Sequence, residues 1–229
     1  MKGINKFMRD INVIYEKISI NTPNNVINSI KTLKNKLIEL YKRGLVKINH
    51  SVMELVVAKQ LLLKGYNVDI ECNLERNLTC DIYGVKGDGR IIVEVETGFV
   101  PPEHALDPTT YIKARIASKI ARYSNYAEKF ALAFPLFYLP QIPEIYIIPP
   151  RYRSGSKINE IKRLCDYYYK RPPVSLDEIK NARLHAIFIV NSDLAIAREI
   201  DPEIYFEIYK GIQKRLYSRN SGLKSSSII

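Results

Sequence analysis

The stretch LTCDIYGVKGDGRIIVEVETG, residues 78–98, sets Asp81, Glu94 and Glu96 into two short apolar runs. Burying an unpaired charge costs on the order of several kcal/mol or more, so acids in such places ask for a reason. Strand side chains alternate between faces, so Glu94 and Glu96 project together while Val93 and Val95 project the other way. With KGDG, residues 86–89, as a four-residue loop, Val85 pairs with Arg90 and Asp81 falls opposite Glu94. All three acids then converge on one face, where opposed like charges destabilise a sheet. A cation among them, or a protonated carboxyl, removes that penalty. Magnesium, with manganese as a substitute, prefers such oxygen ligands together with waters and phosphate oxygens. There it lowers the pKa of a water and stabilises charge on a phosphate undergoing transfer. The chemistry implied is hydrolysis of a phosphate ester.

A hairpin of residues 78–98 needs neighbours to position it. Upstream, SVMELVVAKQLLLKGYNV reads as a largely buried helix, with Ser51 as N-cap and Glu54 at capping-box spacing. YNVDIECNLE then alternates as a strand. After Gly98 the loop FVPPEHALDPTT leads into the helix YIKARIASKIARYSNYAEKF, a loop placed to serve as a lid. Ile112, Ile116, Ile120 and Tyr123 line one face of that helix, and Arg115, Lys119 and Arg122 line another. ALAFPLFY and LHAIFIVN read as apolar strands and EIYII as a further short one. KINEIKRLCDYYYK reads as a helix. Asp201 and Pro202 are placed as N-cap and first residue of a closing helix. At the other end, residues 1–20 and 25–43 form two amphipathic helices, an accessory cap or an arm for a partner. The domain reading is a helical extension over 1–48, an α/β core over 49–200, a helix over 201–220 and a disordered tail over 221–229.

The 229 residues carry a net charge of +11, which favours a polyanionic partner. No apolar run approaches the roughly 20 residues that span a bilayer, and the N-terminus lacks a signal-peptide pattern. The reading is a soluble cytoplasmic protein, in the host cytoplasm if viral, without a membrane or small-molecule cofactor. Cys72, Cys80 and Cys165, like His50, His104 and His185, have no disulfide or metal-ligand spacing and read as structural or incidental. RYRSGSK, residues 151–157, offers Arg151 and Arg153 as phosphate contacts. DYYYKRPP mixes aromatics and cations as base-stacking surfaces do, although tyrosines in a helix are more often packing residues.

Glu54 on a helix, then Asp81, then EVE at 94–96, then a basic helix, resembles the PD-(D/E)xK nuclease superfamily and its archaeal or archaeal-virus Holliday junction resolvase-like members. The resemblance covers residues 50–137 and extends to the strand near 190. It implies an α/β fold with a restriction-endonuclease-like αβββαβ core, a mixed sheet flanked by helices and additional N- and C-terminal helices. It also implies a Mg2+-dependent deoxyribonuclease acting on DNA, in many members as a homodimer. Carried over by position, Asp81 and Glu94 look like the family's metal ligands, and Glu54 like its helical glutamate. Glu96 stands where the family usually has lysine, and Lys119, or else Lys113, is the replacement on the next helix. Lys113, Arg115 and Arg122 would hold the DNA strand. A protein that keeps the fold but has lost cleavage, binding or assembling on DNA, is the competing reading, and Glu96 is the feature that favours it. An RNA-directed nuclease is a third.

Overall fold

The computed structural model describes residues 2–75 and 78–221. The chain runs α1 (Lys2–Ser19), α2 (Asn24–Lys42), α3 (Ile48–Leu63), β1 (Asn67–Glu75), β2 (Leu78–Lys86), β3 (Gly89–Val95), α4 (Pro108–Tyr123), β4 (Lys129–Pro135), α5 (Gly155–Tyr168), α6 (Leu176–Asn181), β5 (Ala186–Asn191), β6 (Ile196–Ile200) and α7 (Pro202–Ser221). The strands form one mixed sheet in chain order, parallel where β3, β4 and β5 adjoin and antiparallel elsewhere. The crossover from β3 to β4 carries α4, as a parallel connection requires.

Two cores sandwich the sheet. On one face Phe7, Ile11, Ile30, Leu37, Leu55 and Val57 of α1–α3 pack on Val93, Val95, Ala131 and Phe188. On the other, Ile116 and Ile120 of α4 join Ile161, Ile179, Tyr205 and Phe206 against Ile92, Phe130, Leu132 and Ile187. The polar side of α1 and α2 explains their amphipathic spacing, and their apolar stripes are absorbed by α3. Among the described residues no helix is long and apolar enough to cross a membrane.

Several local expectations change. Helix α3 begins at Ile48, after Lys47 in an extended conformation, so Ser51 lies inside the helix and caps nothing. Ser51 and Glu54 are instead fully buried. A Ser-x-x-Glu pair marks a helix start only where the preceding residues do not already continue the helix. The hairpin turn holds two residues, Gly87 and Asp88, because Lys86 pairs with Gly89, while the expected Val85–Arg90 register is kept. Gly87 takes φ 57°, as a tight turn of this length favours. EIYII gives a single 3-10 turn, Glu144–Tyr146, between prolines. The spacing of α6, whose Ser175 and Glu178 form a capping box, and the edge strand β6 went unread in the sequence. Pro202 does open α7, with Asp201 Oδ1 accepting from the Glu203 amide at 2.7 Å. The tail beyond Ser221 lies outside the described residues.

Candidate functional site

The sheet changes sides where Asp81 sits. Val68 and Ile70 of β1 and Ile82 of β2 belong to the α1–α3 core, whereas Cys72 and Cys80 belong to the α4 core. The exchange takes place at Glu71 and Asp81. Regular pairing runs Ile70 with Ile82 and Cys72 with Cys80 around them. Glu71 has φ 46°, a left-handed conformation that costs a non-glycine residue on the order of 1 kcal/mol. The strain turns two carboxylates inward at the point where the strands cross from one core to the other.

Across the hairpin, the ladder between β2 and β3 stops at Ile82–Val93. Beyond it the strands are joined through acid side chains. Glu94 Oε1 accepts from the Asp81 amide at 3.1 Å, and Asp81 Oδ2 accepts from the Val95 amide at 2.6 Å. Asp81 and Glu94 are therefore neighbours, as the register predicts.

Lys119 reaches these acids from α4. Its Nζ lies 3.1 Å from Glu94 Oε2, 3.1 Å from Glu96 Oε1 and 3.6 Å from Asp81 Oδ2, and donates to the Val95 carbonyl at 3.0 Å. One turn earlier, Arg115 Nη2 pairs with Glu96 Oε2 at 2.7 Å. Burial alone would lower the Lys119 ammonium, but the Glu96, Asp81 and Glu94 charges outweigh it and hold its pKa well above the usual range. Burial, and then the Asp81 charge, push the Glu94 carboxyl upward despite Lys119.

A second group closes on the other side of Asp81. His50, Glu54, Glu71 and Asp81 each offer a ligand atom, all within 4.8 Å of one another. His50 Nδ1 lies 2.6 Å from Glu54 Oε1, and Nε2 lies 3.2 Å from the Val95 carbonyl and 3.5 Å from Asp81 Oδ2. Burial opposes its protonation, yet Asp81 and the Glu54 hydrogen bond raise its pKa to about 9. Burial raises Glu54, and burial together with the Glu54 and Asp81 charges raises Glu71 to about 7. Glu54 Oε2 is buried with no hydrogen-bond donor. Glu71 stands against it, an arrangement that needs either a shared proton or a cation.

The charges do not balance. Among the described residues, Glu54, Glu71, Asp81, Glu94 and Glu96 are paired with His50, Arg115 and Lys119, an excess of two negative charges when all are ionised. A divalent cation would supply the difference, and the undonated Glu54 oxygen would give it a place. An imidazole with three carboxylates suits manganese, zinc or iron(II) as well as magnesium. Its binding would release the His50 proton.

Sequence reasoning placed Asp81, Glu94, Glu96, Glu54 and Lys119 near one another and the structure brings them together. It missed His50 and Glu71. Glu94, expected as a metal ligand, is turned toward Lys119 and the Asp81 amide and lies outside the four-residue group. Of the expected strand-holding cations, Arg153 is a correction. It is buried and donates to the carbonyls of Ile148, Ile179 and Lys180, tying α6 to the preceding loop. Arg122 donates to the Pro172 carbonyl, and Lys113 lies 3.6 Å from Glu160. Arg151 is exposed over the Tyr152 ring. The 100–108 loop is anchored rather than open, through the His104 ring stacked on Tyr111 and Asp107 bonded to Tyr168. No family model, curated protein or solved structure matches this chain.

Proposed function

We propose that the chain is a metal-dependent DNA endonuclease of the PD-(D/E)xK type, its restriction-endonuclease-like core being α3–β1–β2–β3–α4–β4. The observation that carries this reading is the convergence on Asp81 of Glu94, Glu96 and Lys119 from one side and His50, Glu54 and Glu71 from the other. An excess of negative charge inside a protein of net charge +11 supports a metal cup within a phosphate-binding surface.

His50, Glu54, Glu71 and Asp81 would hold the ion, Mg2+ or Mn2+, with the Val95 carbonyl directed at the same space. Such an ion polarises a phosphoryl oxygen and lowers the pKa of a water. The chain's own groups supply the rest. Lys119, kept protonated by its three acids, presents positive charge to a phosphate that gains negative charge during attack. Glu96 Oε1 is paired with Lys119 but has no hydrogen bond, so it is the acceptor left to orient a water or take its proton. Arg115 holds the other Glu96 oxygen and fixes its direction.

A second reading, DNA binding without cleavage, is favoured by one feature. Glu96 occupies the usual lysine position, and Lys119, the lysine among the acids, is already ion-paired to three of them. Supercoiled and four-way branched DNA incubated with Mg2+ or Mn2+ separates the two. Nicking that stops on chelation supports the nuclease, and retarded but intact DNA supports the silent protein.

A further inference from the structure

Glu71 and Glu96, with His50 and Lys119, lie at the floor of a cleft of about 510 Å³, walled by Leu45, Lys47 and Asn49 on one side and by Thr97, Phe99 and Arg115 on the other. Two of those walls are apolar and open to solvent, Leu45 at 58% exposure and Phe99 at 63%. A smaller hollow of about 270 Å³ continues from it, sharing Asn49 and Thr97, and its wall includes Phe137 at 89% exposure.

Neither phenylalanine is exposed because its chain is loose. Arg115 Nη1 donates to the Phe99 carbonyl at 2.6 Å. The preceding Gly98 has φ 79° and lies so close to the Tyr138 ring that a Cβ would meet it at 3.0 Å. Phe137 is bracketed by two backbone bonds, Leu136 N to the Val190 carbonyl at 2.9 Å and Tyr138 N to the Pro135 carbonyl at 3.0 Å. The backbone is pinned and the rings stand out. Arg115 adds a cation beside Phe99, and rigid aromatic faces are what successive unpaired bases stack on.

We infer that the cleft binds single-stranded DNA, with bases stacked on Phe99 and Phe137 and the intervening backbone passing Asn49 and Thr97 toward the acids. The inference rests on the nuclease reading for the phosphate at the floor, and it names the substrate as an unpaired strand. The size agrees. The cleft has the volume of a small-ligand pocket, room for one or two nucleotides. Glu71 and Glu96 lie at its bottom with His50 and Lys119, where an unpaired strand can bend and a stacked duplex cannot.

The test is fluorescence anisotropy of a labelled oligo-dT and of a blunt duplex of equal length, both in EDTA, for the full chain and for Phe99→Ala, Phe137→Ala and Phe99→Trp. The wild type is expected to bind the single strand more tightly than the duplex. Each alanine variant should lose about tenfold for the strand and little for the duplex, and Phe99→Trp should retain affinity. Matching thermal melts confirm that the variants fold. Equal affinity for strand and duplex, or alanine variants that bind the strand as the wild type does, would overturn it. Cleavage with Mn2+ is read separately. Strand binding that depends on Phe99 without any cutting leaves this inference standing and removes the nuclease reading. Cutting of blunt duplex that ignores Phe99 does the reverse.

Discussion

The two ends of one sheet treat charge in opposite ways. At the hairpin end, Arg90 makes a forked pair with Glu128 through Nε and Nη2 at 3.1 and 2.6 Å, and Lys64 pairs with Glu199 nearby. These groups are in water, and Arg90 holds the Glu128 carboxyl down to about 2. His185 at the same end is neutral, its Nδ1 accepting from the Phe130 amide at 3.0 Å. Burial first, then Arg183 and Lys129, lower its pKa. At the other end, Glu54, Glu94 and Glu96 are buried, the acids outnumber the cations, and His50 and Glu71 are displaced toward protonation. A protein that settles one end so readily retains the other against its own stability. That contrast is what points to function.

The largest way to break the contrast is Lys119→Met. It should leave Glu94 and Glu96 buried without their shared cation and destabilise the fold by about 3–5 kcal/mol in urea titration at neutral pH. The loss should shrink on acidification as those carboxyls take up protons. An insensitive midpoint would mean that the acids are solvated.

Next in size is pH. Groups raised in the folded state stabilise it below their unfolded pKa and lose that contribution as pH rises through the folded value. Glu71 and His50, at about 7 and about 9, therefore make the metal-free protein lose stability as pH rises from near 5 to beyond 9. His185 is lowered, so its contribution is present above about 6.5 and is lost as pH falls further. His185→Asn should flatten the acid limb alone and His50→Gln the alkaline limb alone, in melts at fixed ionic strength.

Smaller again, Glu71→Gln should stabilise the metal-free protein by about 1 kcal/mol at pH 8, allowing for screening of a half-exposed carboxyl. It should at the same time weaken Mn2+ binding measured by calorimetry. Stabilisation without weaker binding would place the ion elsewhere. Smallest of all, Arg90→Ala should barely move the melting midpoint, and any effect should vanish in high salt.

Much of this was legible in the chain, for identifiable reasons. Period-two alternation put Glu94 and Glu96 on one face, and the hairpin fixed Asp81 beside them. Helical spacing set Lys119 one turn beyond Arg115. His50 was readable too, four residues before Glu54 on one helix face. The Ser51–Glu54 pair drew the helix start four residues too late and hid it. Glu71 was not readable. It is inward-facing only because β1 and β2 exchange cores at that point, and a left-handed glutamate in mid-strand has no sequence signal. Arg153 looked like a surface cation because a Gly/Ser loop surrounds it, whereas its burial depends on carbonyls of a helix some 26 residues away.

The central claim is that Asp81 joins both halves of a metal-dependent phosphodiesterase site. The most direct measurement is the Mn2+-dependent cleavage rate of labelled DNA by the wild type and by Asp81→Asn, with binding followed in parallel. The account predicts cleavage by the wild type, a loss of about a thousandfold or more in the variant, and undiminished DNA binding. Equal rates with the same metal dependence, or a wild type inert with both Mn2+ and Mg2+, would contradict it.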